Sequence, residues 1–131
     1  MSERQAKAAP EAVCEVRHLH DGVIRREMFE HGVMVAAHDL NAHSYATRRL
    51  TYNGGLLATR EYWREDQDQR MSLETFAPDG FKLEETHWDL RYDPPRESDH
   101  WWYDHGWPIK RSIKGGGEIW EKQGDDWVKT K

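Results

Sequence analysis

Tight turns recur along this chain at a nearly constant interval, and that recurrence limits what it can fold into. The stretches His20-Asp21-Gly22, Asn53-Gly54-Gly55, Pro78-Asp79-Gly80 and Asp104-His105-Gly106 each bring a polar approach to a glycine. Such sequences supply the positive φ values that tight hairpin turns require. Intervals of 33, 25 and 26 residues separate the four glycines, and Gly32 adds a turn of the same kind inside the longest interval. A unit of about 25 residues recurs about four times. Seven residues after the four glycines stand Phe29, Tyr62, His87 and Ile113, and three or four residues before them stand Leu19, Tyr52, Phe76 and Tyr103.

Between the turns the pattern alternates with period two. Met71, Leu73 and Thr75 alternate with Ser72, Glu74 and Phe76, and Trp88, Leu90 and Tyr92 alternate with Asp89 and Arg91. Leu57, Thr59, Glu61 and Trp63 do the same against Leu56, Ala58, Arg60 and Tyr62. Side chains that alternate in this way belong to strands with two distinct faces. The spacing predicts strands near 14–20, 23–30, 33–40, 45–52, 56–63, 70–77, 81–92, 100–104, 107–113, 118–122 and 126–130, with loops at 41–44, 64–69 and 93–99. The expected fold is all-β, an antiparallel meander of about ten strands. Two closures compete: a repeat-type rolled sheet and an up-and-down barrel. The barrel stands second because the helical lid of fatty-acid-binding barrels is missing after the first strand. Residues 14–131 read as a single β domain. Residues 1–13 read as a flexible N-terminal segment, in which Pro10 holds any helix to a turn or two.

Composition supports a folded core of unusual kind. Leu, Ile, Val and Phe together number only 21 of 131 residues, but the 15 aromatic residues include seven Trp, and the net charge is a mild −5. Rings supply the buriable surface that disordered chains lack, and a Leu-rich helical bundle is excluded. Cys14 is alone, so no intramolecular disulfide forms. No signal-peptide core and no membrane-length apolar run occurs, so the expectation is a cytoplasmic protein without membrane insertion. An acidic balance argues against nucleic acid as a partner; the best basic patch, Lys110, Arg111 and Lys114, reads as a solvated strand face. Protonation of all eight histidines between about pH 7 and 5 would carry the formal charge from −5 to +3.

The segment Asp21-Gly22-Val23-Ile24-Arg25-Arg26-Glu27-Met28-Phe29-Glu30-His31-Gly32-Val33 resembles the MORN-variant repeat of bacterial antitoxin-like proteins. Tyr52-Asn53-Gly54-Gly55-Leu56-Leu57-Ala58-Thr59-Arg60-Glu61-Tyr62-Trp63 looks like a second copy, and the stretches from Phe76 and from Tyr103 are looser ones. The resemblance implies stacked β-hairpins and a non-enzymatic, protein-contacting role.

Chemistry-bearing motifs are sparse. No nucleophile elbow, phosphate loop, CxxC pair or HExxH helix is present, which favours a protein that is not an enzyme and needs no cofactor. His18 and His20, two apart on one strand face, would offer metal ligands with Asp21, but they lack an assigned third partner beyond it, and the expectation is no metal. Asp99-His100 and Asp104-His105 bracket the aromatic run and read more simply as turn-flanking polar residues than as acid–base pairs. Trp101, Trp102, Tyr103 and Trp107 form the densest aromatic feature, and Trp101 and Trp102 must point to opposite faces of a strand. Together with Trp88, Trp120 or Trp127, Trp102 would build an aromatic platform. The expected function is a protein-interaction or assembly module whose partner surface comprises Trp101, Trp102, Tyr103, Trp107, Trp120 and Trp127. The partner would be another protein chain, in a hetero- or homo-oligomer. The alternative is a lipocalin-like barrel for a small apolar or carboxylate ligand, with Arg25, Arg49 and Arg60 turned inward and His100 and His105 as further contacts.

Overall fold

The computed structural model describes residues 13–18, 24–64 and 69–131. They form eleven strands: β1 (Val13–His18), β2 (Ile24–Glu30), β3 (Val33–Leu40), β4 (Ala46–Asn53), β5 (Leu56–Trp63), β6 (Arg70–Phe76), β7 (Lys82–Asp89), β8 (Arg96–Asp104), β9 (Trp107–Ile113), β10 (Glu118–Gln123) and β11 (Asp126–Lys129). All belong to one sheet in sequence order, each strand antiparallel to the next. No pairing joins β11 back to β1, so the sheet is open and the rolled meander, not the barrel, is the form adopted.

Turn chemistry sets the hairpins. At His31-Gly32, Gly54-Gly55 and His105-Gly106 both central residues have positive φ, from 49° to 82°. That is the mirror-image turn whose twist matches its flanking strands. After each of these turns, and after the Pro78-Asp79-Gly80 turn, the register slips by one residue, at Met28/Phe29, Thr51/Tyr52, Thr75/Phe76 and Trp102/Tyr103. Bulges of this kind bend the strand and increase local twist. The turns in phase with one another are those of Gly32, Gly55, Gly80 and Gly106; Gly22 lies outside the described residues.

Two boundaries differ from those expected. β7 ends at Asp89 because that carboxylate accepts hydrogen bonds from the Arg91 backbone N–H and guanidinium (3.0 and 2.6 Å), turning the chain. β8 then begins at Arg96, inside the expected loop 93–99, and pairs with Asp89. The polar run Arg96-Glu97-Ser98-Asp99 makes a strand because an open sheet does not require apolar residues on either face.

Cross-strand pairing defines the two faces. On the front face one row runs Arg25, Asp39, Arg48, Tyr62, Ser72, His87, Asp99, Ile113, and the next runs Glu27, Ala37, Leu50, Arg60, Glu74, Glu85, Trp101, Arg111, Trp120. On the back face stand Arg26, His38, Arg49, Glu61, Leu73, Thr86, His100 and Ser112. Among the described residues the buried hydrophobics are Ala37, Leu40 and Leu50, while Glu27, Asp39, Ser72, Glu74, Thr86 and Ser112 are buried as well. In a single layer nothing packs over a face except the side chains beside it. Long Arg, Lys and aromatic groups lie across the shorter residues and cover them, which is why the middle of the sheet is largely polar.

Candidate functional site

The front face carries a chain of ion pairs followed by an aromatic cluster. Arg25 and Arg48 flank Asp39, donating from Nε at 2.7 and 2.6 Å. Burial works to raise the Asp39 carboxyl, but these hydrogen bonds outweigh it and hold the group below its usual range. Further along, Glu74 accepts from Arg60 Nε at 2.7 Å and pairs with Lys82 Nζ. Lys82 also reaches Glu85 (2.8 Å), which in turn accepts from Tyr103 Oη at 3.2 Å and meets His87 Nε2. Burial again opposes ionisation of Glu74 and Glu85, and their cationic hydrogen-bond partners prevail, so both carboxyls are lowered. A shallow depression of about 460 Å³ lies over Tyr62, Ser72, Glu74, Glu85 and His87, with Met71, Trp88 and Leu90 at its margin.

Beyond this network the rings gather. Trp101 stacks at 6.5 Å on Tyr103 and meets Trp127 edge-on at 6.0 Å. Arg111 lies 4.6 Å over Trp101 and is itself held by Asp99 at 3.0 Å. Trp120 donates from Nε1 to Glu118 at 3.1 Å on the same face. All four rings are half-buried, and cations cover two of them, Arg111 over Trp101 and Lys82 Nζ 5.4 Å over Tyr103. Tyr52, Phe76 and Tyr103, which stand three or four residues before their glycines, fall on this face, and Phe29 takes the corresponding place before Gly32. The signal for this row was in the spacing, though the sequence did not show that the rows share a face with the carboxylates.

Trp102 does diverge from Trp101, onto the back face opposite Glu84 and Lys110. It does not join Trp120 or Trp127. Instead it stacks on His100 at 4.0 Å with Lys110 Nζ 4.8 Å above its ring. His100 bridges Glu84 Oε1 through Nε2 (2.8 Å) and Thr86 Oγ1 through Nδ1 (3.1 Å). It therefore has no acid–base geometry with Asp99, which pairs with Arg111 on the other face. His105 is exposed in the β8–β9 turn, bonded to Asp104 at 2.8 Å. Trp107 lies on the back face beside that turn, away from the front cluster and 74% exposed. Trp88 is covered by Arg70 at 4.4 Å.

The three arginines do not converge. Arg25 and Arg60 occupy the front face with carboxylates of the chain itself, while Arg49 lies on the back face 3.8 Å over Trp63. Lys110, Arg111 and Lys114 also separate, to Trp102, Asp99 and Glu118. His20 and Asp21, and the side chain of His18, lie outside the described residues. Among the described residues no three His, Cys, Asp or Glu side chains gather as a metal site, and no helix is long and apolar enough to cross a membrane.

Fold and site together define an open, single-layer β-meander with an aromatic patch on one face. No protein-family model matches the chain, and no curated protein matches it. Among solved structures it is similar to a chain of the GtfA/B complex bound to UDP and GlcNAc, at 15% identity and a TM-score of 0.48 over 97% of this chain and 25% of that one. The chain thus spans about a quarter of that neighbour's length.

Proposed function

We propose that this protein is a non-enzymatic interaction module whose front face, through Trp101, Tyr103, Trp120 and Trp127, docks another protein chain. The observation that supports this reading is the half-open aromatic cluster on a sheet with no second layer over it among the described residues. Rigid rings on a strand offer large contact area at small entropic cost, and such anchors dominate binding energy. The resemblance of residues 21–33 and 52–63 to MORN-variant repeats points to the same class of role. A carboxylate ligand held by Arg25 or Arg60 gains no support, since it would have to displace Asp39 or Glu74.

The test is to compare wild type with Trp127→Ala and Trp101→Ala in pull-downs and in sedimentation velocity, with melting measured in parallel. Association, with another protein or with itself, lost at unchanged melting temperature is the expected outcome. Association that survives both substitutions refutes the proposal.

A further inference from the structure

The hairpin turns of Gly32, Gly55, Gly80 and Gly106 all lie at one end of the sheet, and immediately after each glycine stands an exposed apolar residue. These are Val33 (43% exposed), Leu56 (53%), Phe81 (46%) and Trp107 (74%). Val33, Leu56 and Trp107 pair with Glu30, Asn53 and Asp104, and the Ala77 N–H donates to the Phe81 carbonyl at 2.8 Å. Strand alternation from these partners puts all four on the back face. They recur every second strand, hence about 10 Å apart and roughly 30 Å from first to last.

Neighbouring hairpins touch along this line. A Cβ on Gly55 would stand 3.8 Å from Val33 Cγ1, and one on Gly106 would stand 3.1 Å from Phe81 Cδ1. The Phe81 ring also meets His105 edge-on at 5.8 Å. Val33 and Phe81 lean toward the next turn, where glycine leaves room for them, so the four apolar residues form two close pairs, Val33 with the Leu56 turn and Phe81 with the Trp107 turn, set in one line as a ridge.

The border of the ridge is acidic. Counted with the strand residues that close them, the turns at this end contain Glu30, Asp79, Asp104, Asp125 and Asp126 against Lys82, which is held by Glu74 and Glu85 on the front face, whereas the described turns at the opposite end mix Arg64, Arg70, Arg91, Arg96 and Lys114 with Asp89, Asp93 and Glu118. Asp79 and Asp104 bond only within their own turns, to the Phe81 N–H (3.1 Å) and to His105 (2.8 Å).

We propose that this turn-end ridge docks a cationic amphipathic helix of a partner protein, whose apolar side chains cover Val33, Leu56, Phe81 and Trp107 and whose Lys or Arg side chains meet the acidic turns. A helix advances about 10.5 Å in seven residues, close to the interval of the ridge. A second copy of the chain would set acid against acid, and an anionic lipid surface would meet the same repulsion. The ridge shares no residue with the front-face cluster, so each surface stands or falls separately.

The probe is a labelled synthetic helix of about 21 residues, three heptads, with Leu at the first and fourth positions of each heptad and Lys flanking them. A counterpart with Glu in place of Lys serves as the control. Fluorescence anisotropy at low salt is expected to show binding of the Lys peptide alone. Trp107→Ala should weaken it roughly thirty-fold. Asp79→Asn with Asp104→Asn should weaken it severalfold and flatten its salt dependence, while Trp127→Ala on the front face leaves it unchanged. Leu56→Ser provides an independent variant should Trp107→Ala lower the melting temperature. The proposal is overturned if neither peptide binds, if both bind equally, if binding ignores Trp107→Ala and Leu56→Ser, or if those variants dissociate a homodimer in sedimentation velocity.

Discussion

Replacing Glu74 by Gln removes one charge from the middle of the sheet and leaves the shape nearly intact. Glu74 is 7% exposed and holds two cations, Arg60 and Lys82, contributed by the strands on either side. Removing one member of a buried ion pair commonly costs about 3–5 kcal/mol, because the partner is left desolvated and uncompensated. Three features reduce that figure. The Arg60 and Lys82 side chains keep 30% and 26% of their exposure, Lys82 retains Glu85, and the directly opposed Glu74–Glu85 repulsion is relieved. About 2 kcal/mol remains, equivalent to roughly 7 °C in melting temperature for a chain of this size. The assay is thermal and urea unfolding of wild type, Glu74→Gln, Arg60→Met and the double variant, with the coupling between positions 74 and 60 read from the cycle. The pH dependence gives a second readout. Because the folded carboxyl of Glu74 is lowered, its stabilisation is fully present above the unfolded value near 4.3 and is lost as pH falls through the folded one. Glu74→Gln should therefore flatten the acid limb of the stability profile. A variant melting within about 2 °C of wild type, with an unchanged acid limb, would refute the view that a polar network takes the place of a hydrophobic core.

Other outcomes follow from neighbouring features. Gly106 has φ of 82°, and a side chain there would meet Phe81 at 3.1 Å; Gly106→Ala should cost about 1–2 kcal/mol in urea unfolding. The imidazole of His38 is lowered by burial and by Arg49 and Arg26, so the unfolded state takes up the proton first. Stability should begin to fall as pH drops below about 6.5, and His38→Gln should remove part of that slope in melts between pH 7 and 5. Asp39→Asn leaves Arg25 and Arg48 without their shared carboxylate and should lower the urea midpoint, an effect that fades at pH values low enough to protonate Asp39 in wild type.

Local chemistry made much of this fold legible in the sequence. A pair such as Gly54-Gly55 can adopt two successive positive φ angles at no steric cost, so the turns announced themselves, and period-two alternation located most of the strands between them, though not the polar first half of β8. Tyr52 and Tyr103 stood three residues before their glycines and Phe76 four, a spacing that marked them as counterparts, with the longer Pro78-Asp79-Gly80 turn taking up the extra residue. The divergence of Trp101 from Trp102 likewise needed only strand geometry. Which groups lie beside which was decided elsewhere. Arg60 meets Glu74 across 14 positions and Tyr103 meets Glu85 across 18, through registers fixed by every intervening hairpin and shifted by bulges that no local pattern records. The same non-local pairing set Trp102 opposite Glu84 instead of beside Trp120 and brought Trp127 to Trp101. Closure too was beyond the sequence, because alternation describes the two faces of a strand equally well in a barrel and in an open sheet. Only the summed twist and register of all the strands determines whether the last one reaches the first.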